Sequence, residues 1–194
     1  MRLPRITSRA VLALLILSAV WLALVLLSPL LVPSNTLRDL SGVVGGHENE
    51  HQFKNLGPLP HAVYWLGDAE CHQLASRSLF LNGNQMPFCA RDVGLFLGLV
   101  IGFFAATFVS WKIPPLLVLL GLVPIAIDGG LQLVTSHEST NPLRLATGLV
   151  AGLVLALLFA HFLFVIGEDK AKPKPAIVEP LKVPEKKISP DSGQ

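Results

Sequence analysis

The stretch VGLFLGLVIGFFAATFVS, residues 93–110, has no charged side chain and is the segment that decides the fold. As an α-helix it would rise about 1.5 Å per residue, so its length approaches the roughly 30 Å of a bilayer's hydrocarbon core. It lacks the alternation of apolar and polar residues that marks a strand of a membrane barrel. The stretch therefore predicts a transmembrane helix.

Three further apolar stretches have similar lengths, at residues 10–32, 115–134 and 142–166. The chain of 194 residues is 52% hydrophobic and only 14% charged, and its mean hydropathy is +0.59. This balance is too apolar for an ordinary soluble domain. We predict an all-α integral membrane protein of about four transmembrane helices, with a long extracytoplasmic loop that contains a short amphipathic helix.

Positive charges near the helix ends predict the orientation, because Lys and Arg are retained in the cytoplasm. They lie before the first helix, beside Trp111 in the turn between the second and third, and after the fourth: Arg2, Arg5, Arg9, Lys112, Lys170, Lys172 and Lys174. Both termini of this multi-pass protein are therefore expected on the cytoplasmic side of the cell (plasma) membrane. The chain then divides into residues 1–32 with the first helix, 33–91 as the extracytoplasmic loop, 92–166 with helices two to four, and 167–194 as a disordered cytoplasmic tail.

The lipid bilayer is the expected partner. A formal net charge of +2, with the basic residues mostly at the two ends, excludes a nucleic-acid-binding surface. Small residues recur every fourth position on the second and fourth helices: Gly94, Gly98 and Gly102, then Gly148 and Gly152. Because such spacing clears one helix face of side chains, it predicts tight packing between these two helices. A homodimer through the same faces is the alternative.

The outer loop divides by composition. Residues 33–60 are rich in glycine and asparagine, which is typical of a loop or lid. From Ala62 to about Arg77 the pattern predicts an amphipathic helix on the membrane surface, with Tyr64 and Trp65 as headgroup-level anchors. Residues 82–84, Asn-Gly-Asn, predict a turn that leads back to the second helix.

Polar side chains gather at the outer ends of the helices. Asp128 is expected about 18 Å along the third helix, below the outer surface, and an intramembrane carboxylate is by default a functional-site hypothesis. The predicted polar pocket, beneath the loop and with Asp92 close by, consists of Arg77, Arg91, Asp128, Gln132, Glu138 and Arg144. The alternative is a purely structural ion-pair network, such as Asp128 with Arg91 or Arg144.

Two cysteines lie in the same outer region. If residues 62–77 are helical, Asp68, Cys71 and His72 share one face. A disulfide between Cys71 and Cys89 suits an oxidising compartment. A metal site of Cys71, Cys89 and His72 or Asp92 suits zinc. Redox chemistry is a third reading, but it lacks the usual Cys-x-x-Cys sign.

With these residues in view, the chain resembles the small prokaryotic membrane proteins that share domain of unknown function 2085. The motifs that carry the resemblance are Cys71-His72-Gln73, Arg77-Ser78, Gly83, Gln85-Met86-Pro87, Cys89-Ala90-Arg91, Gly94 with Gly98, Asp128-Gly129, Gln132, Glu138-Ser139, Asn141 and Arg144. The resemblance implies a shared membrane core and a shared outward polar site, and it brings no activity. Many members have a second cysteine three residues after the one that matches Cys89, whereas this chain has Asp92, which can ligate zinc but cannot serve as a redox thiol.

The expected function is that of a membrane protein whose outward polar site binds a metal or a small ligand. One alternative is a membrane oxidoreductase or metal-dependent enzyme at the outer surface. Another is a small dimeric transporter in which Asp128 binds a cation or a proton.

Overall fold

The computed structural model describes residues 8–109, 114–136 and 138–171. Its elements in chain order are α1 (Arg9–Leu27), a 3-10 turn (Ser28–Leu30), α2 (Glu50–Phe53), α3 (Pro58–Glu70), a second 3-10 turn (Ala75–Arg77), β1 (Ser78–Leu81), β2 (Asn84–Cys89), α4 (Ala90–Phe108), α5 (Pro115–Val134) and α6 (Asn141–Ala171). The basic residues at 2, 5, 112, 172 and 174, and the tail beyond residue 171, lie outside the described residues.

Four helices, α1, α4, α5 and α6, are long and apolar enough to cross a membrane. This confirms the predicted fold class of a multi-pass, mostly helical membrane protein. Large apolar side chains on their outer faces, such as Leu17, Leu116 and Phe162, are exposed in the isolated chain. Apolar surfaces of this kind on helices of this length are those that a lipid bilayer covers. The described part of α6 runs to Ala171, five residues beyond the expected end at Ile166.

The centre of the bundle is the contact between α4 and α6, the most extensive between two elements of the described chain. A Cβ atom added to Gly98 would lie 2.2 Å from the carbonyl oxygen of Leu149, and one added to Gly152 would lie 2.0 Å from that of Leu95. Only glycine permits so close an approach of two backbones. The predicted packing of the glycine faces is thus present within one chain.

Residues 31–89 cover one end of this bundle, which we call the loop end. There β1 and β2 form an antiparallel hairpin joined by Asn82 and Gly83, whose φ angles of 56° and 70° fit the two-residue turn that hairpins favour. The turn was predicted, but the two short strands were not. They are a minor addition to the helical fold.

The helix predicted from Ala62 to about Arg77 instead spans Pro58–Glu70. Cys71, the next residue, is extended at φ −138°. Tyr64 is fully buried and donates a hydrogen bond of 2.6 Å to the carbonyl oxygen of Gln85. It is therefore a core residue and not a headgroup anchor, because its hydroxyl finds its partner inside the protein.

The segment expected to be a loop or lid is fastened to the hairpin. Leu37, Leu40 and Phe53 pack with Tyr64 in one buried cluster. The side chain of Asn84 accepts hydrogen bonds from the backbone N–H groups of residues 36 and 37, at 2.8 and 3.0 Å, and donates to the carbonyl oxygen of residue 29 at 2.9 Å. The loop therefore has a core and a fixed path of its own.

Candidate ligand-binding site at the loop end

A cavity of about 110 Å³ lies at the loop end, between the hairpin and the ends of α4, α5 and α6. Its walls combine thiols, an imidazole, amides and guanidinium groups. The lining residues are Cys71, His72, Gln73, Leu74, Arg77, Cys89, Arg91, Gln132 and Arg144. Four of the six residues predicted for the polar pocket thus line one cavity, and the carboxylates of the other two pair with its arginines.

The first pair joins α4 to α5. The Nη2 atom of Arg91 donates a short hydrogen bond to Oδ2 of Asp128, whose side chain is only 6% exposed. A carboxylate at this depth requires a partner. Of the two arginines suggested from the sequence, Arg91 is that partner, so the carboxylate is already compensated and does not stand open to a cation.

The second pair lies nearer the surface. Nη2 of Arg77 donates to Oε1 of Glu138 at 2.8 Å, and the Glu138 side chain is 57% exposed. The hydrogen bond and charge of Arg77 hold the pKa of Glu138 below its usual range. An exposed pair of this kind contributes little to stability, but it fixes the direction of the Arg77 side chain.

Arg144 has no carboxylate partner among the described residues. It is only 2% exposed, and its Nη2 donates at 3.0 Å to the neutral Oε1 of Gln132. Gln132 in turn donates at 2.9 Å to the backbone carbonyl oxygen of Asp128, one turn earlier on α5. The site thus contains a buried cation whose described side-chain partner carries no charge.

Backbone contacts hold Arg91 and Arg144 at matching positions on their helices. A Cβ atom at Gly148 would lie 2.1 Å from the carbonyl oxygen of Arg91, so α6 touches α4 one helical turn from Arg144. On the other side of the cavity, a Cβ at Gly67 would lie 2.0 Å from the carbonyl oxygen of Pro87. Both walls are therefore positioned by main chain rather than by flexible side chains.

The two cysteines meet beside the cavity. Their sulfur atoms are 4.0 Å apart without a disulfide, and Sγ of Cys89 lies 3.0 Å from Oδ2 of Asp92. The hydrogen bond from Cys89 lowers the pKa of the Cys71 thiol. The same hydrogen bond, together with burial, raises the pKa of the Cys89 thiol. One ligand atom from each of Cys71, Cys89 and Asp92 lies within 4.8 Å of the others.

His72 lies outside this group of three ligand atoms and is exposed. The predicted shared face of Asp68, Cys71 and His72 does not exist, because α3 ends at Glu70. Asp68 is buried and does not line the cavity. It accepts hydrogen bonds of 2.7 and 3.0 Å from the side chain and backbone of Asn49. Its role is to hold the loop.

Two lining residues, Gln73 and Leu74, were not predicted as part of the site. Nε2 of Gln73 donates at 2.8 Å to the carbonyl oxygen of Pro87, which ties the segment after α3 to the hairpin. In the sequence, the position of Gln73 in the Cys71-His72-Gln73 motif could have indicated that it belongs to the site. Its backbone, at φ 47°, turns the chain out of the helical direction.

Comparison with known proteins places these residues in a family. Residues 71–158 match the family described as a predicted membrane protein with domain of unknown function 2085. An uncharacterised protein of Methanocaldococcus jannaschii is 34% identical over 122 residues, which cover 60% of this chain and 76% of that protein. An uncharacterised protein of Methanothermobacter thermautotrophicus is 40% identical over 91 residues, which cover 45% of this chain and 82% of that protein. No solved structure matches the chain.

The matched range contains both cysteines, Asp92 and all six residues of the predicted polar pocket. The description of the family as a membrane protein agrees with the four apolar helices. This chain therefore belongs to the family of predicted membrane proteins that share domain of unknown function 2085.

Proposed function

We propose that this membrane protein binds a zinc ion through Cys71, Cys89 and Asp92 at the outer face of the cell membrane. The observation that carries the proposal is the convergence of three ligand atoms within 4.8 Å. Two thiolates bound to tetrahedral zinc at about 2.3 Å would lie roughly 3.8 Å apart. The observed separation of 4.0 Å therefore needs little rearrangement.

The chemistry of the three groups supports the same choice. Thiolate sulfur selects soft or borderline ions, and a carboxylate oxygen completes a mixed set that zinc accepts. Three protein ligands leave a fourth position to water or another small ligand, as in catalytic rather than structural zinc sites. Both cysteines line the cavity, so a molecule within it is well placed to fill that position.

The test is metal binding by purified protein, with cobalt as a spectroscopic substitute for zinc. We expect about one ion per chain and a thiolate-to-cobalt charge-transfer band. The Cys89→Ser variant should lose the band, and Asp92→Asn should bind more weakly while keeping it. Asp39→Asn is the matched control, because Asp39 is exposed in the loop and outside the ligand group. If protein purified in the presence of zinc contains no bound ion and has two reactive thiols, the proposal is overturned.

The second candidate is reversible formation of a disulfide between Cys71 and Cys89. It is favoured by the separation of 4.0 Å, from which a side-chain movement of about 2 Å would reach bonding distance. The reaction would release two protons and two electrons to a membrane quinone or a soluble disulfide. Thiol counting separates the candidates: two thiols that a chelator exposes support zinc, and two thiols that a reductant exposes support the disulfide. The transporter alternative needs Asp128 to bind a cation or a proton, and it loses support because Asp128 is paired with Arg91.

The location at the outer face rests on the basic residues near the predicted cytoplasmic ends. It is tested by placing a cysteine at exposed Ser34 in a Cys71→Ser, Cys89→Ser background. A membrane-impermeant maleimide should label this variant in intact cells, whereas the background protein should stay unlabelled. If labelling requires cell lysis, the loop lies on the cytoplasmic side and the proposed orientation is wrong.

A further inference from the structure

From the three arginines that line the cavity, we infer that it is a binding site for a small tetrahedral oxyanion of the phosphate type. Arg77, Arg91 and Arg144 reach the same space from the segment before β1, from α4 and from α6. Guanidinium groups are the side chains best suited to phosphate, since each offers several N–H donors in a planar fork. This inference does not rest on the proposed zinc site.

Of the three arginines that line the cavity, two are in ion pairs. Asp128 compensates Arg91 and Glu138 compensates Arg77. Arg144, buried to 2% exposure, has the neutral Gln132 oxygen as its described partner. A buried guanidinium without a counter-ion is unfavourable, so the site is built to gain from an anion.

Unused donors point the same way. The Nε atoms of Arg77, Arg91 and Arg144 are all buried and make no hydrogen bond to the described residues. Buried N–H groups of native proteins are almost always satisfied. The described residues therefore leave part of the hydrogen-bonding capacity of these three guanidinium groups unused.

The size of the cavity limits the anion. A volume of about 110 Å³ corresponds to roughly three or four water molecules at about 30 Å³ each. A phosphate ion, or the phosphate group of a lipid whose chains stay in the bilayer, fits this space. A whole nucleotide or peptide is too large to lie within it.

The experiment uses the full-length protein in a phosphate-free maltoside detergent with a chelator present, so that bound metal plays no part. Inorganic phosphate is titrated at constant ionic strength, with chloride as the reference, and the unfolding temperature is followed. Native mass spectrometry of the same protein measures retained phospholipid. A saturable rise with phosphate identifies the free ion as the source. Retention of about one phospholipid per chain without that rise identifies a lipid headgroup, and either result supports the inference.

The decisive variant is Gln132→Glu, which is nearly isosteric and places a carboxylate at the oxygen that Arg144 already contacts at 3.0 Å. Because the internal carboxylate replaces the missing counter-ion, the variant should be folded and at least as thermostable, yet bind the oxyanion about tenfold more weakly or worse. Arg38→Gln, at an exposed loop arginine, changes the net charge of the protein by the same amount as Gln132→Glu but lies outside the cavity lining, and this variant should bind the oxyanion normally. The inference is overturned if wild-type protein binds neither probe, or if folded Gln132→Glu binds as tightly as wild type.

Discussion

The close approach of α4 and α6 makes a quantitative prediction for Gly98→Ala. The new methyl group would start 2.2 Å from the carbonyl oxygen of Leu149 and 2.7 Å from the backbone nitrogen of Leu153. Ordinary contact for a Cβ atom begins near 3.4 Å, so the helices must separate by roughly 1 Å. A gap of that size forfeits about a quarter to a half of each dispersion contact.

Overpacking against atoms that cannot rotate away costs about 1–3 kcal/mol or somewhat more. The gain in helix propensity from glycine to alanine offsets up to about 1 kcal/mol. Gly98→Ala should therefore destabilise the protein by about 1–2 kcal/mol. Gly130→Ala on α5 is the matched control, because a Cβ there meets nothing within 4 Å, and it should be neutral or up to about 1 kcal/mol stabilising.

The free energy of unfolding is measured by SDS titration of the detergent-solubilised proteins and followed by tryptophan fluorescence. Trp21 is a suitable reporter of packing at the loop end, since its ring lies 5.7 Å from that of Phe88. If Gly98→Ala and Gly130→Ala unfold at the same SDS fraction, the glycine contact does not stabilise the bundle and the reasoning is refuted.

Three further substitutions test the loop end. Tyr64→Phe removes a buried hydrogen bond to Gln85 and should lower the free energy of unfolding by about 1–2 kcal/mol in the same SDS titration. Asn84→Ala leaves several buried backbone groups of the loop without partners, so limited proteolysis should cut residues 33–56 much faster than in wild type. Glu138→Gln should change stability little at neutral pH. Because Arg77 lowers the pKa of Glu138, any contribution of the pair to stability is present above the usual carboxyl pKa and is lost as the pH falls through the lowered pKa. Thermal melts of wild type and variant across acidic pH would measure this contribution.

Hydrophobic length was enough to predict the four long helices, since only backbone-satisfied helices of this length cross a membrane. The third, at Pro115–Val134, has the predicted bounds. The hairpin was missed because its strands of four and six residues are too short for an alternating pattern, and Pro87 interrupts the second. The end of α3 was missed because no glycine or proline follows Glu70, and it is the extended backbone of Cys71 that stops the helix.

For the candidate site, depth along the helices predicted which polar groups would meet, but not how they pair. Both Arg91 and Arg144 stood at the right level for Asp128. Which of them reaches it depends on how the helices are rotated against one another, and in the structure Arg91 does. That rotation depends on where the glycine faces touch, which is a property of two helices together. The same limit explains why the sequence position of Arg144 could not show that none of the described carboxylates pairs with it.

The fastening of the loop has a consequence for how such proteins diverge. Asn84 and Gln85 hold residues 29–40 through main-chain atoms alone, and among residues 34–40 only Leu37 and Leu40 are buried. The match to the family model begins at residue 71, so it includes the two amides but not the segment they secure. Substitutions at exposed positions such as Arg38 and Asp39 should therefore leave these main-chain hydrogen bonds intact, so that part of the loop surface can vary while the attachment is kept.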